Sequence, residues 1–171
     1  AIIMELCRYF QQYRPRRTME FVWFGAEEKG LLGSRDYIRV HESELGAHRF
    51  NMNVDLAGQL IGGNVLGVTG EASVCDKLLE IADGTGIGAS AKNQIWGSDS
   101  NSFAWKGIPA MTLNRDGFGM HTRYDTIDLL SAWSLERSAI LLGCIADALG
   151  NAEVFPFERK MPEKFIRELD E

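Results

Sequence analysis

Thr18-Met19-Glu20-Phe21-Val22-Trp23-Phe24-Gly25-Ala26-Glu27-Glu28-Lys29-Gly30-Leu31-Leu32 sets the class of architecture. Its first seven residues are a short apolar run rich in aromatic side chains, the composition of a buried strand. Gly25 ends the run, a polar turn follows, and Leu31, Leu32, Tyr37 and Ile38 continue at helical spacing. Strand, turn and helix in that order form the repeating unit of an α/β domain.

The alternation extends in both directions. Ile2, Ile3, Leu6, Cys7 and Phe10 share one helical face, and no capping side chain precedes them, as for a helix entered partway. Residues 50–56 alternate polar and apolar as a second strand, residues 61–69 give a third, residues 89–95 a fourth, and Ile108-Pro109-Ala110-Met111-Thr112-Leu113 a fifth. Between them, Val74, Cys75, Leu78, Leu79 and Ala82 mark an amphipathic helix. A brief helix capped by Ser98 or Ser100 is expected through Phe103 to Lys106. Leu135, Ala139, Leu142, Ile145, Ala146 and Leu149 recur at three and four residues, predicting a long helix from Ser131 to Gly150. A last helix is expected from Met161 onward, with Pro162 in its first turn. The expected fold is a three-layer α/β/α sandwich whose central sheet is mainly parallel and covered on both faces.

The 171 residues suit one domain over the whole chain. A balance of 18 Lys and Arg against 24 Asp and Glu leaves −6, which argues against a nucleic-acid or anionic-membrane partner. No stretch nears the ~18 uninterrupted apolar residues of a membrane span, and the N-terminus has no signal-peptide order. Cys7, Cys75 and Cys144 lie far apart and are odd in number, so mostly buried thiols in a reducing, cytoplasmic compartment are expected. Export would require a signal preceding Ala1.

In open α/β sheets ligands gather beyond the carboxyl ends of the strands. There stand Glu27 and Glu28 after the first strand, Asp55 at the end of the second, Asp99 after the fourth and His121 after the fifth. Carboxylates drawn together repel, and burying one unpaired costs several kcal/mol, so convergence calls for a compensating cation. Oxygen ligands plus an imidazole suit zinc, and also manganese or cobalt. Each residue also has a purely structural reading. The glutamates could be solvated acids in a first helical turn, Asp55 half of an ion pair, Asp99 a helix cap, and His121 an ordinary loop histidine. His41 and His48 read as surface residues.

Other catalytic motifs are missing. His41-Glu42-Ser43-Glu44-Leu45 starts like HExxH but has leucine at the second histidine, Ser98 is not within GxSxG, and no phosphate loop occurs. Gly84-Thr85-Gly86-Ile87-Gly88 follows a helix instead of a strand, unlike a dinucleotide site.

Three segments together resemble the zinc aminopeptidases of peptidase family M28. Phe21-Val22-Trp23-Phe24-Gly25-Ala26-Glu27-Glu28-Lys29-Gly30-Leu31-Leu32-Gly33-Ser34 is similar to the family's strand, loop and helix bearing a general base and a metal ligand. Asn53-Val54-Asp55-Leu56-Ala57-Gly58 is similar to the segment with an aspartate ligand, and Gly119-Met120-His121-Thr122-Arg123-Tyr124-Asp125-Thr126 to that with the last histidine. The resemblance implies a peptide substrate and two zinc ions. It makes Glu27 the general base, Glu28 and His121 ligands of one ion, and Asp55 a ligand of the other. Asp99 and Asp125 would stand in the outer shell, and Phe118, in Asn114-Arg115-Asp116-Gly117-Phe118-Gly119, could wall the substrate pocket. The family pattern has a further histidine and a bridging aspartate upstream of the first helix. The resemblance therefore implies a catalytic domain lacking its N-terminal portion. Glutaminyl cyclases share the family, so an acyltransferase is an alternative to a peptidase, as is an inactive peptide-binding relative.

Overall fold

The computed structural model describes residues 1–115 and 117–170, and the side chain of Asp170 is not among the parts described. The chain runs through α1 (Ile2–Gln12), α2 (Leu32–Val40), β1 (Asn51–Val54), β2 (Asn64–Thr69), α3 (Ala72–Gly84), β3 (Ala89–Asn93), α4 (Ser100–Ala104), β4 (Ala110–Arg115), α5 (Ala132–Asn151) and α6 (Glu163–Asp170). The four strands form one sheet in the order β1-β4-β2-β3. The β1–β4 and β2–β3 ladders are parallel, and β2–β4 is antiparallel. Helices α3 and α5 cover one face, with α1 against α5, and α4 backed by α2 lies on the other. This is the expected three-layer α/β/α arrangement around a mostly parallel sheet.

The strands that carry this sheet are its most apolar. Every residue of β2 and β4 is buried, as befits central strands covered on both faces. Leu66, Val68, Met111 and Leu113 point to one side, where Val74, Leu78 and Ala82 of α3 and Leu141, Leu142, Ile145 and Leu149 of α5 complete the main core. A smaller cluster of Ile38, Leu45, Phe103 and Ile108, with Phe24 and Tyr37 against it, joins α2 to α4.

Three expectations are corrected. Residues 18–24 are extended but belong to no ladder. Aromatic composition suits a strand, yet a strand exists only by pairing. Along β1, the N–H groups of Asn51 and of the following Asp55 donate toward β4, to the carbonyls of Pro109 and Leu113 at 3.0 and 2.9 Å. Met52 and Val54 alternate with them and face away from β4, where β1 has no partner strand among the described residues. The cysteines are also more accessible than expected, with Cys144 exposed and Cys7 and Cys75 half-buried. Finally, α4 has no side-chain cap, because Asp99 occupies the cap position while the hydroxyls of Ser98 and Ser100 are bonded elsewhere.

The route from β3 to α4 is what positions the site. Because β3 runs antiparallel to β4, its carboxyl end lies at the opposite sheet edge from that of β1 and β4. Residues 94–100 return across the sheet along one row of paired residues, Lys92, Gly67, Thr112 and Asn53. Trp96 fills the space above Gly67, where a Cβ would stand 2.7 Å from the indole ring. Ser100 Oγ lies 2.8 Å from Thr112 Oγ1, and Asn53 Nδ2 donates to Ser98 Oγ at 2.7 Å. The segment thus reaches the edge where β1 and β4 end.

Candidate metal centre

Four short stretches meet at that edge. The first is the loop after residues 18–24. Gly33 N donates to Gly25 O at 3.1 Å and closes the loop at its neck. Ala26 and Leu31 take the left-handed conformation on either side of the 3₁₀ turn Glu27–Lys29. The second stretch is the end of β1, where Leu56, directly after Asp55, has φ 46°. The third is residues 98 and 99, and the fourth is the turn holding His121, itself at φ 59°. Non-glycine residues rarely adopt positive φ, at a cost of roughly 1–3 kcal/mol each. Here all four lie at or within three residues of a candidate acid or imidazole.

The geometry brings several sequence candidates together. His121 Nε2 and Glu28 Oε1 are 2.7 Å apart, though 93 residues separate them in sequence. Both side chains are about two-thirds exposed, His121 at 64% and Glu28 at 68%. Asp55 Oδ2 accepts from Ser98 Oγ at 2.9 Å. Glu27 is held above the usual carboxylate range by partial burial first and then by the negative charges of Asp55, Glu28 and Asp99, with His121 opposing. Asp99 is also raised, by burial first, with the Ser34 hydroxyl pulling the other way and Asp55 adding to the rise. One of its oxygens, Oδ1, is buried without a hydrogen-bond partner among the described residues.

Two candidates remain apart from this group. Asp125 is exposed, and its N–H closes a turn on Thr122 O at 3.1 Å. Its carboxylate has no bond to the other candidates among the described residues. Phe118 is 69% exposed on the stretch leading to His121. Asp116 of the same stretch lies outside the described residues. His41 and His48 are half-buried, contrary to expectation, because both pack on Tyr37, whose ring stacks on His41 at 4.4 Å and whose hydroxyl lies 3.5 Å from His48 Nε2. A groove of about 330 Å³ beside them is lined by Trp23, Phe24, Tyr37 and His41 and contains none of the acids at the edge.

A field dominated by carboxylates, with an imidazole against one of them, fits a divalent cation in kind. Glu28 and His121 offer adjacent oxygen and nitrogen donors, and Asp55 offers carboxylate oxygen. In number the set is short, because no three His, Cys, Asp or Glu side chains among the described residues come together around one ion. Ser98, Ser34, Gln59 and Arg115 were not legible as site residues. Ser98 orients Asp55, Ser34 faces Asp99, and Gln59 and Arg115 brace the loops behind Asp55 and His121. Of these, only Arg115 carried a signal, as a cation ending an apolar strand that needs acceptors.

The electrostatics give a pH-dependent expectation. The raised carboxyl of Asp99 means that the folded chain holds this proton more tightly than the unfolded chain does. Ionised Asp99 therefore costs stability at neutral pH, and the cost fades as pH falls through the folded value toward the unfolded value of about 3.9. Asp99→Asn should raise the Tm of the metal-free chain at pH 7.5. Melting at pH 4 should show the gain largely gone.

Residues 1–143 match the profile of peptidase family M28. The chain is 26% identical over 133 residues to aminopeptidase YwaD of Bacillus subtilis (strain 168), a match that covers 77% of this chain and 26% of that protein. Carboxypeptidase Q of Rattus norvegicus is 23% identical over 145 residues, covering 82% and 30% respectively. In fold the chain is similar to BSAP, described as a zinc aminopeptidase from Bacillus subtilis, with a TM-score of 0.77 at 23% identity over 94% of this chain and 42% of that one. The chain thus spans between about a quarter and two-fifths of the length of these relatives.

Proposed function

This chain belongs to peptidase family M28, and on that footing we propose that it forms part of a zinc-dependent aminopeptidase that removes amino-terminal residues from peptides. The observation that carries the proposal is the meeting of Glu28 and His121 at 2.7 Å, with Glu27 beside them in an acidic field. Glu28 and His121 would hold one zinc and Asp55 a second. When bound, zinc supplies polarisation of the scissile carbonyl and a lowered pKa for an attacking water.

The remaining work falls to side chains of this chain. Glu27 has the chemistry of a proton carrier, a carboxylate within the charge field of Glu28, Asp55 and His121 that is not itself assigned to hold zinc. It takes the proton of the attacking water and returns it to the leaving amine. Ser98 fixes Asp55 by occupying Oδ2. Asp99, largely buried near Asp55, adds negative charge to the field in which the cations would sit. Phe118, exposed three residues before His121, would offer apolar surface to a substrate side chain.

Hydrolysis of aminoacyl-p-nitroanilides by the protein containing this chain tests the proposal. Turnover should vanish on chelation and return with zinc, and peptides with a blocked amino terminus should resist. Ammonia release from an N-terminal glutamine peptide, without peptide hydrolysis, would assign acyltransfer instead. Failure to turn over any of these substrates with zinc bound would leave a peptide-binding role.

A further inference from the structure

We propose that Gln59 is a positioning residue for His121, tying the loop that follows Asp55 to the loop that carries the imidazole. Gln59 lies four residues after Asp55, and its side chain is buried, at 4% exposure. Its amide grips both backbone groups of one residue. Oε1 accepts from Phe118 N at 2.6 Å, and Nε2 donates to Phe118 O at 3.0 Å. A single hydrogen bond leaves a peptide free to swing, whereas a donor and an acceptor on one planar group fix its orientation as well. The approach is close, since a Cβ at residue 117 would stand 3.0 Å from Gln59 Nε2 and press the amide back.

Gln59 is itself held from behind. Arg115, buried at the end of β4, donates from Nε to Gln59 O at 3.1 Å, from Nη2 to Gly62 O at 2.7 Å and from Nη1 to Asn64 Oδ1 at 2.9 Å. The neighbouring backbone is stitched down too, by Leu60 N to Leu129 O at 3.0 Å and Ser131 N to Gly58 O at 2.9 Å. The loop after β1 is therefore a rigid base, and Gln59 extends that rigidity to Phe118. From Phe118 the chain enters a self-closed turn, in which Gly119 O accepts from Thr122 N at 3.0 Å and from Thr122 Oγ1 at 2.6 Å. His121 projects from this turn with its ring largely exposed and paired to Glu28. Its placement relative to Asp55 is inherited through Phe118 and Gln59.

The inference rests on His121 being a zinc ligand, and one set of variants separates the two ideas. Gln59→Met keeps the side-chain length and removes both amide bonds. Zinc affinity of the protein containing this chain, read by competition with a chromogenic chelator, should fall by about 10–100-fold in Gln59→Met, the usual loss on removing the support of a ligand. It should fall at least as far in His121→Ala. The double variant should bind no more weakly than His121→Ala, because Gln59 acts only through the imidazole. Hydrogen exchange at the Phe118 amide should accelerate in Gln59→Met while exchange in α3 and α5 is unchanged. Gln59→Glu keeps the acceptor for Phe118 N–H and loses only the bond donated to Phe118 O, so its loss of affinity should be the smaller of the two. That variant carries the test if Gln59→Met does not fold. Affinity within about twofold of the parent in both Gln59 variants, or losses that add in the double variant, overturns the inference and leaves His121 as a ligand. Unchanged affinity in His121→Ala overturns the site itself, and the inference with it.

Discussion

Glu27→Gln should cut hydrolysis of an aminoacyl substrate by about 10²–10⁴-fold, the contribution of a positioned general base, while zinc content stays unchanged. The amide is close to isosteric and leaves Glu28, His121 and Asp55 in place, but it cannot take a proton. A second consequence separates this loss from damage to the fold. Glu27 sits in the negative field of Asp55, Glu28 and Asp99, and its raised carboxyl shows that ionisation there is uphill. Removing the charge relieves that repulsion, so the metal-free variant should melt no lower than the metal-free parent at neutral pH. Lost turnover with retained zinc and undiminished Tm is the expected result, checked by steady-state kinetics, metal analysis and thermal melting. Unchanged kcat would sink the assignment of Glu27 as base.

Gly33→Ala should be as damaging by a different route. A Cβ at residue 33 would meet Gly25 O at 2.5 Å and Gly25 N at 2.8 Å. Both are backbone atoms, so no rotamer change can make room. The bond from Gly33 N to Gly25 O at 3.1 Å closes the neck of the loop that presents Glu27 and Glu28. The added methyl forces the neck open and moves both acids away from Asp55 and His121. Overpacking of this kind costs about 1–3 kcal/mol, which lowers the Tm of a chain this size by several degrees. Because the displaced loop carries both the proposed proton carrier and a proposed ligand, zinc affinity and turnover should fall together, unlike in Glu27→Gln. Gly46→Ala is the control, since a Cβ there meets nothing within 4 Å. A Gly33→Ala chain with the melting point and zinc affinity of the parent would show that the neck does not set the acids.

The periodic elements were legible because their signal is local. The helix expected from Ser131 to Gly150 is α5 at Ala132–Asn151, and the third and fifth expected strands are β2 and β4. Pairing is not local, and there the reading failed. Nothing in residues 18–24 says whether a neighbour exists to take their hydrogen bonds, and nothing in β2 says which way β4 will run. Asp99 illustrates the difference. It was expected at the site because it follows a strand, yet β3 ends at the far edge of the sheet. Asp99 arrives only because Gly67 leaves room for Trp96 and the chain can double back. The acids and His121 were legible as charged residues that need a reason to converge. Ser98, Ser34 and Gln59 are neutral, common in loops, and acquire meaning only from the atoms they face.

The outward edge of β1 has a consequence for how the chain behaves among copies of itself. Met52 and Val54 turn their backbone groups away from β4, at the end of a strand flanked by an apolar groove of Trp23, Val54, Ala57 and Leu135. No strand among the described residues pairs with that edge, and an unpaired edge can template an extended segment of another molecule. The opposing force is the net charge of −6, which keeps molecules apart at low ionic strength. Salt screens that repulsion and leaves the edge as it was. The strand that delivers Asp55 is thus also one along which self-association should grow with salt, read by light scattering of the chain at low and high ionic strength.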